Sequence, residues 1–288
     1  MKYDIRKNWL STVETIIKHP VIILPFIFIA FLESLMLELV YFSVRYPISV
    51  VATPIVRKFF GSGFLHYPAH LVLLPKLFYY GQVVIYVLIG VFLTAITVNI
   101  FKNTREGLPV KLKALVNNAF KRYAAFFIYG IVMVALLAIT QKAGSFIFAK
   151  SAGLVSRYFT DLPALFYRSV FLGGQFVLHI MLQVFLVLTI PFIVLEKKPF
   201  LSAFFGSVLM GLRNFFKIFA MIFVPYLIYL PIMVLRSDPT RLINRTFPEI
   251  TVVIAMAGII IAPLVDCFII VCASQFLLDK RKAMEKST

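Results

Sequence analysis

The chain has 288 residues, of which 61% are hydrophobic and 14% charged, with a mean hydropathy of +0.95 and a formal charge of +17. A soluble domain averages about 25% charged residues, so this composition excludes an ordinary soluble globule and points to a polytopic membrane protein. In so apolar a chain, the cationic excess reads as basic loops held at an anionic membrane face rather than as a nucleic-acid surface.

Residues 1–20 are amphipathic, with Lys2, Arg6, Lys7 and Lys18 on the wet side. They lack a short apolar core followed by a small-residue cleavage site, so no removable signal peptide is expected. A first span is expected at about Val21 to Ser43, long enough for the roughly 20 residues that cross the hydrocarbon. Residues 44–80 carry Pro47, Pro54, Pro68 and Pro75 among many aromatics and read as an irregular segment in the outer interface. Span two follows at about Gly81 to Phe101, then a basic loop 102–122 holding a second amphipathic helix. Span three covers about Tyr123 to Thr140, and residues 141–169 read as an outer interfacial helix. Spans four, five and six fall at about Val170 to Leu195, Phe215 to Leu235 and Ile250 to Leu278. A short outer connection, 236–249, joins the last two, and the tail 279–288 is polar.

The stretch from Val194 to Val224 supplies the unit from which the chain is built: a charged turn (Glu196-Lys197-Lys198), an interfacial helix and the start of a span. Setting Val13, Val116 and Val208 in register aligns Trp9, Leu112 and Phe204, then Ile17, Phe120 and Leu212, on one helical face. The same register superposes the cations Lys18, Lys121 and Arg213. Gly81-Gln82-Val83 matches Gly174-Gln175-Phe176 in the descending spans, and Asp279-Lys280-Arg281 falls over Glu196-Lys197-Lys198. The fold expected is therefore all-α: six transmembrane helices with interfacial amphipathic helices, in three repeats over 1–101, 102–195 and 196–288. Lys and Arg are concentrated at one side, 18 against 11 in the three opposite connections of greater total length, which puts both termini in the cytoplasm of an inner (plasma) membrane protein.

Catalytic signatures are missing: His19, His66, His70 and His179 belong to no HExxH, and neither GxSxG nor a P-loop occurs. His66 and His70 have a spacing that could ligate metal on a helix, but Pro68 lies between them and no Cys, Asp or Glu is near in sequence. Cys267 and Cys272, five apart in an apolar span, read as packing residues. No metal or cofactor is expected.

Three polar residues lie deep in the spans. Glu33 is 12 residues after Val21, Asp266 is 12 before Leu278 and Gln183 is 12 before Leu195, roughly 18 Å from the same edge at 1.5 Å per residue. A carboxylate there costs several kcal/mol unless it is protonated, paired or wetted. No Lys or Arg stands at that depth in the sequence to pair with it. Two readings follow: a hydrogen-bonded clasp between helices, or a proton or cation site. Pro25, Pro191, Pro225, Pro231 and Pro263 fall inside spans, and broken helices beside buried carboxylates occur in transporters.

Residues 194–224, with their charged turn, A/G/S-containing amphipathic stretch, basic residue and span, resemble a poorly characterised bacterial superfamily of six-span membrane proteins. It includes the membrane domain that precedes some glycerophosphodiester phosphodiesterases. The resemblance implies a non-catalytic module that handles or senses lipid, since the chemistry of those fusions belongs to a soluble domain, and it transfers no site residues. The function expected first is thus a non-enzymatic, lipid-associated or scaffolding role, with anionic headgroups bound at Lys18, Lys121 and Arg213. The alternative is a small proton- or cation-coupled secondary transporter using Glu33 and Asp266.

Overall fold

In a computed structural model of the chain, residues 4–158 and 164–285 are described, without the side chains of 148, 149, 151–169, 283 and 284. The fold is all-helical: 88% is helix, and among the described residues there are no strands and six helices are long and apolar enough to cross a membrane. This is a polytopic membrane protein.

Helix α1 (Ile5–Lys18) starts at Asp4, whose carboxylate accepts from the Arg6 amide at 3.0 Å and so satisfies one orphan donor of the first turn. It lies against the last helix and leads through a short turn into α2 (Leu24–Tyr41), the first span. Residues 49–60 form α3, ended by Gly61 at φ +96, a backbone only glycine adopts without strain. The second crossing is one 37-residue rod, Ala69–Arg105. It comprises α4 (Ala69–Ile85), a π-helical turn at Tyr86–Gly90, and α5 (Val91–Arg105). The short α6 (Leu112–Phe120) precedes α7 (Tyr123–Tyr158), the third span.

The fourth crossing is broken. Helix α8 (Ala164–Leu186) stops, two residues intervene, and α9 (Thr189–Leu195) resumes with Pro191 in its first turn. Proline supplies no N–H and collides with the carbonyl four residues back, so the ladder cannot run through this point. The carbonyls around the break are met by side chains. Tyr129 donates to Leu186 O at 3.3 Å, Ser207 to Phe185 O at 2.6 Å and Arg122 to Ile193 O at 2.6 Å. Away from water, a segment with unmet backbone groups would not persist. Helix α10 (Phe200–Arg213) then crosses α8 where Gly211 lies so close that a Cβ would sit 2.9 Å from Val184 O. The chain closes with α11 (Phe215–Arg236), α12 (Pro239–Arg245) and the 36-residue α13 (Ile250–Glu285).

Helix α13 is the hub, packed by α11, α2, α1, α5 and α4. Its contact with α2 brings the first and last spans together. Two apolar clusters result. The larger joins α5, α9 and α13 at the end bearing the termini; the smaller holds Leu37, Val40, Leu71, Leu74, Phe78, Ala255 and Ile259 at the opposite end.

Two sequence expectations change here. Residues 44–80 are largely helical, and the second span's helix begins at Ala69, because Pro75 is tolerated inside α4. The third span's helix does not stop at Thr140 but continues to Tyr158, the amphipathic residues extending it. Residues 159–163, part of the expected outer interfacial helix, lie outside the described residues.

Candidate functional site

The boundary between the two clusters is polar, and it falls at matching places on several helices. On α2, Glu33 sits between Phe26 of the larger cluster and Leu37 of the smaller. On the second crossing, Gln82 and Tyr86 sit between Phe78 and Val91. On α13, Asp266 follows Ile259 and lies beside Cys267.

Asp266 and Gln183 are joined through a residue that the sequence alone does not single out. Tyr226 of α11 donates its hydroxyl to Asp266 Oδ1 at 2.9 Å, and Gln183 Nε2 donates to Tyr226 Oη at 3.0 Å. Gln183 Nε2 is also 3.0 Å from His179 Nε2, one turn back along α8. Four side chains on three helices thus form one continuous chain of hydrogen bonds.

Glu33 completes the layer from α2. Gln82, Asp266 and Arg236 are the polar groups near enough to act on its carboxyl. Its Oε2 is buried with no hydrogen-bond partner among the described residues. Tyr86 and Tyr129 lie near each other and Tyr86 near Asp266, and Tyr229 lies within the field of both carboxylates. Glu33, Gln82, Tyr86, His179, Gln183, Tyr226, Tyr229 and Asp266 are each half-buried.

Arg236 brings a cation toward this layer without an ion pair to Glu33 or Asp266 among the described residues. It ends α11 and looked like part of the outer connection. Its stem folds back instead, so that the guanidinium donates to Tyr229 Oη at 3.1 Å and to Ala255 O at 2.9 Å and lies 5.5 Å from the centre of the Phe78 ring. Gly258 makes the seat: a Cβ there would come within 2.5 Å of the guanidinium. The guanidinium thus seats against Phe78 and Ala255 of the smaller cluster, on the flank of the layer. The signals that could have found the added residues are faint. Tyr226 and Tyr229 are three apart on α11, and Arg236 is seven beyond Tyr229 on the same face.

The cations Lys18, Lys121 and Arg213 are all exposed, each at the C-terminal end of α1, α6 or α10. There they complement the negative end of the helix dipole. Lys18 donates to Glu14 at 2.6 Å, and that hydrogen bond holds the Glu14 carboxyl below its usual range. Of the aligned apolar residues, Ile17, Phe120 and Leu212 face outward at 73%, 68% and 61% exposed, while Trp9 and Phe204 pack against the larger cluster. The faces that pack inward lie beside them: Asn8 and Thr12, Leu115 and Ala119, then Ala203, Ser207 and Gly211. Between α1 and α13 an apolar groove of about 210 Å³ runs past Val13, Ile17, Leu264 and Phe268. On the other flank of α1 a mixed pocket of about 290 Å³ is lined by Ser11, Lys18, Arg105 and Gln275.

His66 and His70 belong to no group of three or more His, Cys, Asp or Glu able to hold a metal among the described residues. His70 instead packs against the Tyr41 and Tyr67 rings.

No protein-family model, curated protein or solved structure matches this chain. The functional reading therefore stands on the chemistry of the layer.

Proposed function

We propose that this protein is a small secondary transporter of the inner membrane, coupled to a proton or a monovalent cation that binds between Glu33 and Asp266. The observation that carries the reading is the unpartnered Glu33 Oε2, buried in the layer where Tyr226 holds Asp266. A carboxylate oxygen held from water without a donor is costly. A proton or cation supplied there relieves that cost. The broken fourth span and the π turn beside Tyr86 support the same reading. Interrupted helices free backbone groups and tend to mark functional sites in membrane proteins. Intramembrane ionisable residues in general mark ion and proton pathways.

A second reading rests on the outward apolar faces of α1, α6 and α10. With Lys18, Lys121 and Arg213 at their ends, these helices suit the cytoplasmic headgroup region. A non-enzymatic, lipid-associated role, also implied by the resemblance of residues 194–224, follows from that surface and needs no buried carboxylate.

Charge displacement on a solid-supported membrane separates the two without knowledge of the substrate. Proteoliposomes adsorbed to the sensor are given a proton jump or a Na⁺ jump at fixed ionic strength. The transporter reading expects a transient current, above that of empty liposomes, from at least one ion, and its loss in E33Q/D266N. A silent wild type, or an unchanged transient in the double variant, leaves only the lipid reading.

A further inference from the structure

We propose that the pocket between α1, α5 and α13 binds one phosphate group, carried by a membrane lipid or free in solution. It lies at the end of the bundle bearing the termini and does not depend on the role of the Glu33–Asp266 layer. A lipid source would give the lipid-associated reading a defined site.

The pocket has a volume of about 290 Å³. That is the lower edge of the roughly 300–1,000 Å³ of small-molecule sites, room for a phosphate with part of its ester. Its polar walls come from three helices: Glu14 and Lys18 of α1, Thr104 and Arg105 of α5, and Gln275 of α13.

These walls carry more donors than the protein uses. Lys18 spends one of three N–H groups on Glu14, and Arg105 one of five on Asp279. Both ion pairs hold their cations in place and leave most of the donors unspent. Thr15 on α1 gives its hydroxyl proton to Ser11 O at 2.7 Å, whereas Thr104 Oγ1 is buried with no partner among the described residues. Gln275 is only 8% exposed and lies between the Thr12 and Ser11 hydroxyls, at 3.3 and 2.9 Å. Turned either way, its amide nitrogen meets one hydroxyl and carries two hydrogens, so one N–H remains to give. The carboxylate in the lining, Glu14, is already held by Lys18.

A surplus of donors calls for an anion, and their placement selects its shape. Lys18 and Arg105 stand in the last turns of α1 and α5, where the helix dipoles alone would repel an anion. The two cations reverse that. A guanidinium fork matches two phosphate oxygens at once. The remaining phosphate oxygens point to other sides, toward the α1 and α13 walls and the Thr104 hydroxyl. A flat carboxylate meets one wall and leaves the others unsatisfied.

Equilibrium binding to the purified full-length protein in nonionic detergent tests this. Native mass spectrometry reads dioleoyl phosphatidic acid and, as the phosphate-free control, dioleoylglycerol; calorimetry reads inorganic phosphate. The pocket expects one saturable site for at least one phosphate probe. Tighter binding of phosphatidic acid than of inorganic phosphate, with none of dioleoylglycerol, assigns the lipid source. Inorganic phosphate bound as tightly as the lipid assigns the free one. R105Q should weaken binding about tenfold or more, and R105K and T104V each about threefold. K121Q/R213Q, which removes two cations elsewhere, should bind as the wild type does. If R105Q fails to fold, R105K and T104V carry the test, because both keep every charge. Three results overturn the proposal: no saturable binding of either phosphate probe, wild-type affinity in both R105K and T104V, or a loss in K121Q/R213Q as large as in R105Q. The last would report a diffuse cationic surface in place of a pocket.

Discussion

Single polar side chains are each expensive inside an apolar bundle. Arg236 shows how the expense is managed. Its guanidinium rests in a gap that Gly258 leaves open, hydrogen-bonded to Tyr229 and to Ala255 O. G258A puts a methyl group into that gap, and the flexible stem lets the guanidinium swing out. The expected cost is about 1–2 kcal/mol of stability. R236Q should cost a similar amount, and G258A/R236Q little more than either alone, because both remove one interaction. A double-mutant cycle read by thermal melting checks this; additive losses would mean that the notch and the cation are unrelated. At this scale the sequence was legible wherever a lone charge interrupts an apolar run, as Glu33 and Asp266 do. Arg236 was not legible, because nothing in a linear chain says which way a long side chain at a helix end folds. Tyr226 was hidden for another reason: a tyrosine in an aromatic-rich span looks like packing until its hydroxyl finds a partner.

Helices come next, and here interruptions matter more than lengths. The six spans were legible from apolar run length alone, and Pro191 pointed to an irregularity in the fourth. That α8 ends at Leu186, immediately beyond Gln183, was not legible, since a proline disrupts the turn before it by an amount that depends on who satisfies the freed carbonyls. Tyr129, Ser207 and Arg122 do so from α7, α10 and the turn after α6. Y129F and S207A should each cost about 0.6 kcal/mol and no more than roughly 1.7, the range for side-chain hydrogen bonds inside membranes. Melting of the purified protein measures this; losses near zero for both would show that the break needs no side-chain support. The extension of α7 to Tyr158 was missed because amphipathic residues beyond a span fit a continuing helix as well as a separate interfacial one.

The whole molecule joins a membrane-facing exterior to a polar interior layer. The register behind the expected repeat sets Val13 on α1, Val116 on α6 and Val208 on α10. It also predicts that their three cations act on one leaflet. K18Q/K121Q/R213Q should lose most of the anionic lipid that co-purifies, since each charge contributes about 1 kcal/mol of attraction. Lipid mass spectrometry of the purified protein reads this, and unchanged anionic lipid would remove the headgroup role. The central claim is that Glu33 and Asp266 form one site for a proton or monovalent cation, and ligand-linked stability tests it most directly. Melting temperature is measured for the wild type and E33Q/D266N from pH 5 to 9, and with NaCl against choline chloride. A ligand at about a hundred times its dissociation constant adds about 2.7 kcal/mol, or roughly 5 °C for a chain of this size. The account predicts a shift of that order in the wild type with pH or with Na⁺, and a flat response in a double variant that still unfolds cooperatively. The same response in both proteins would contradict it.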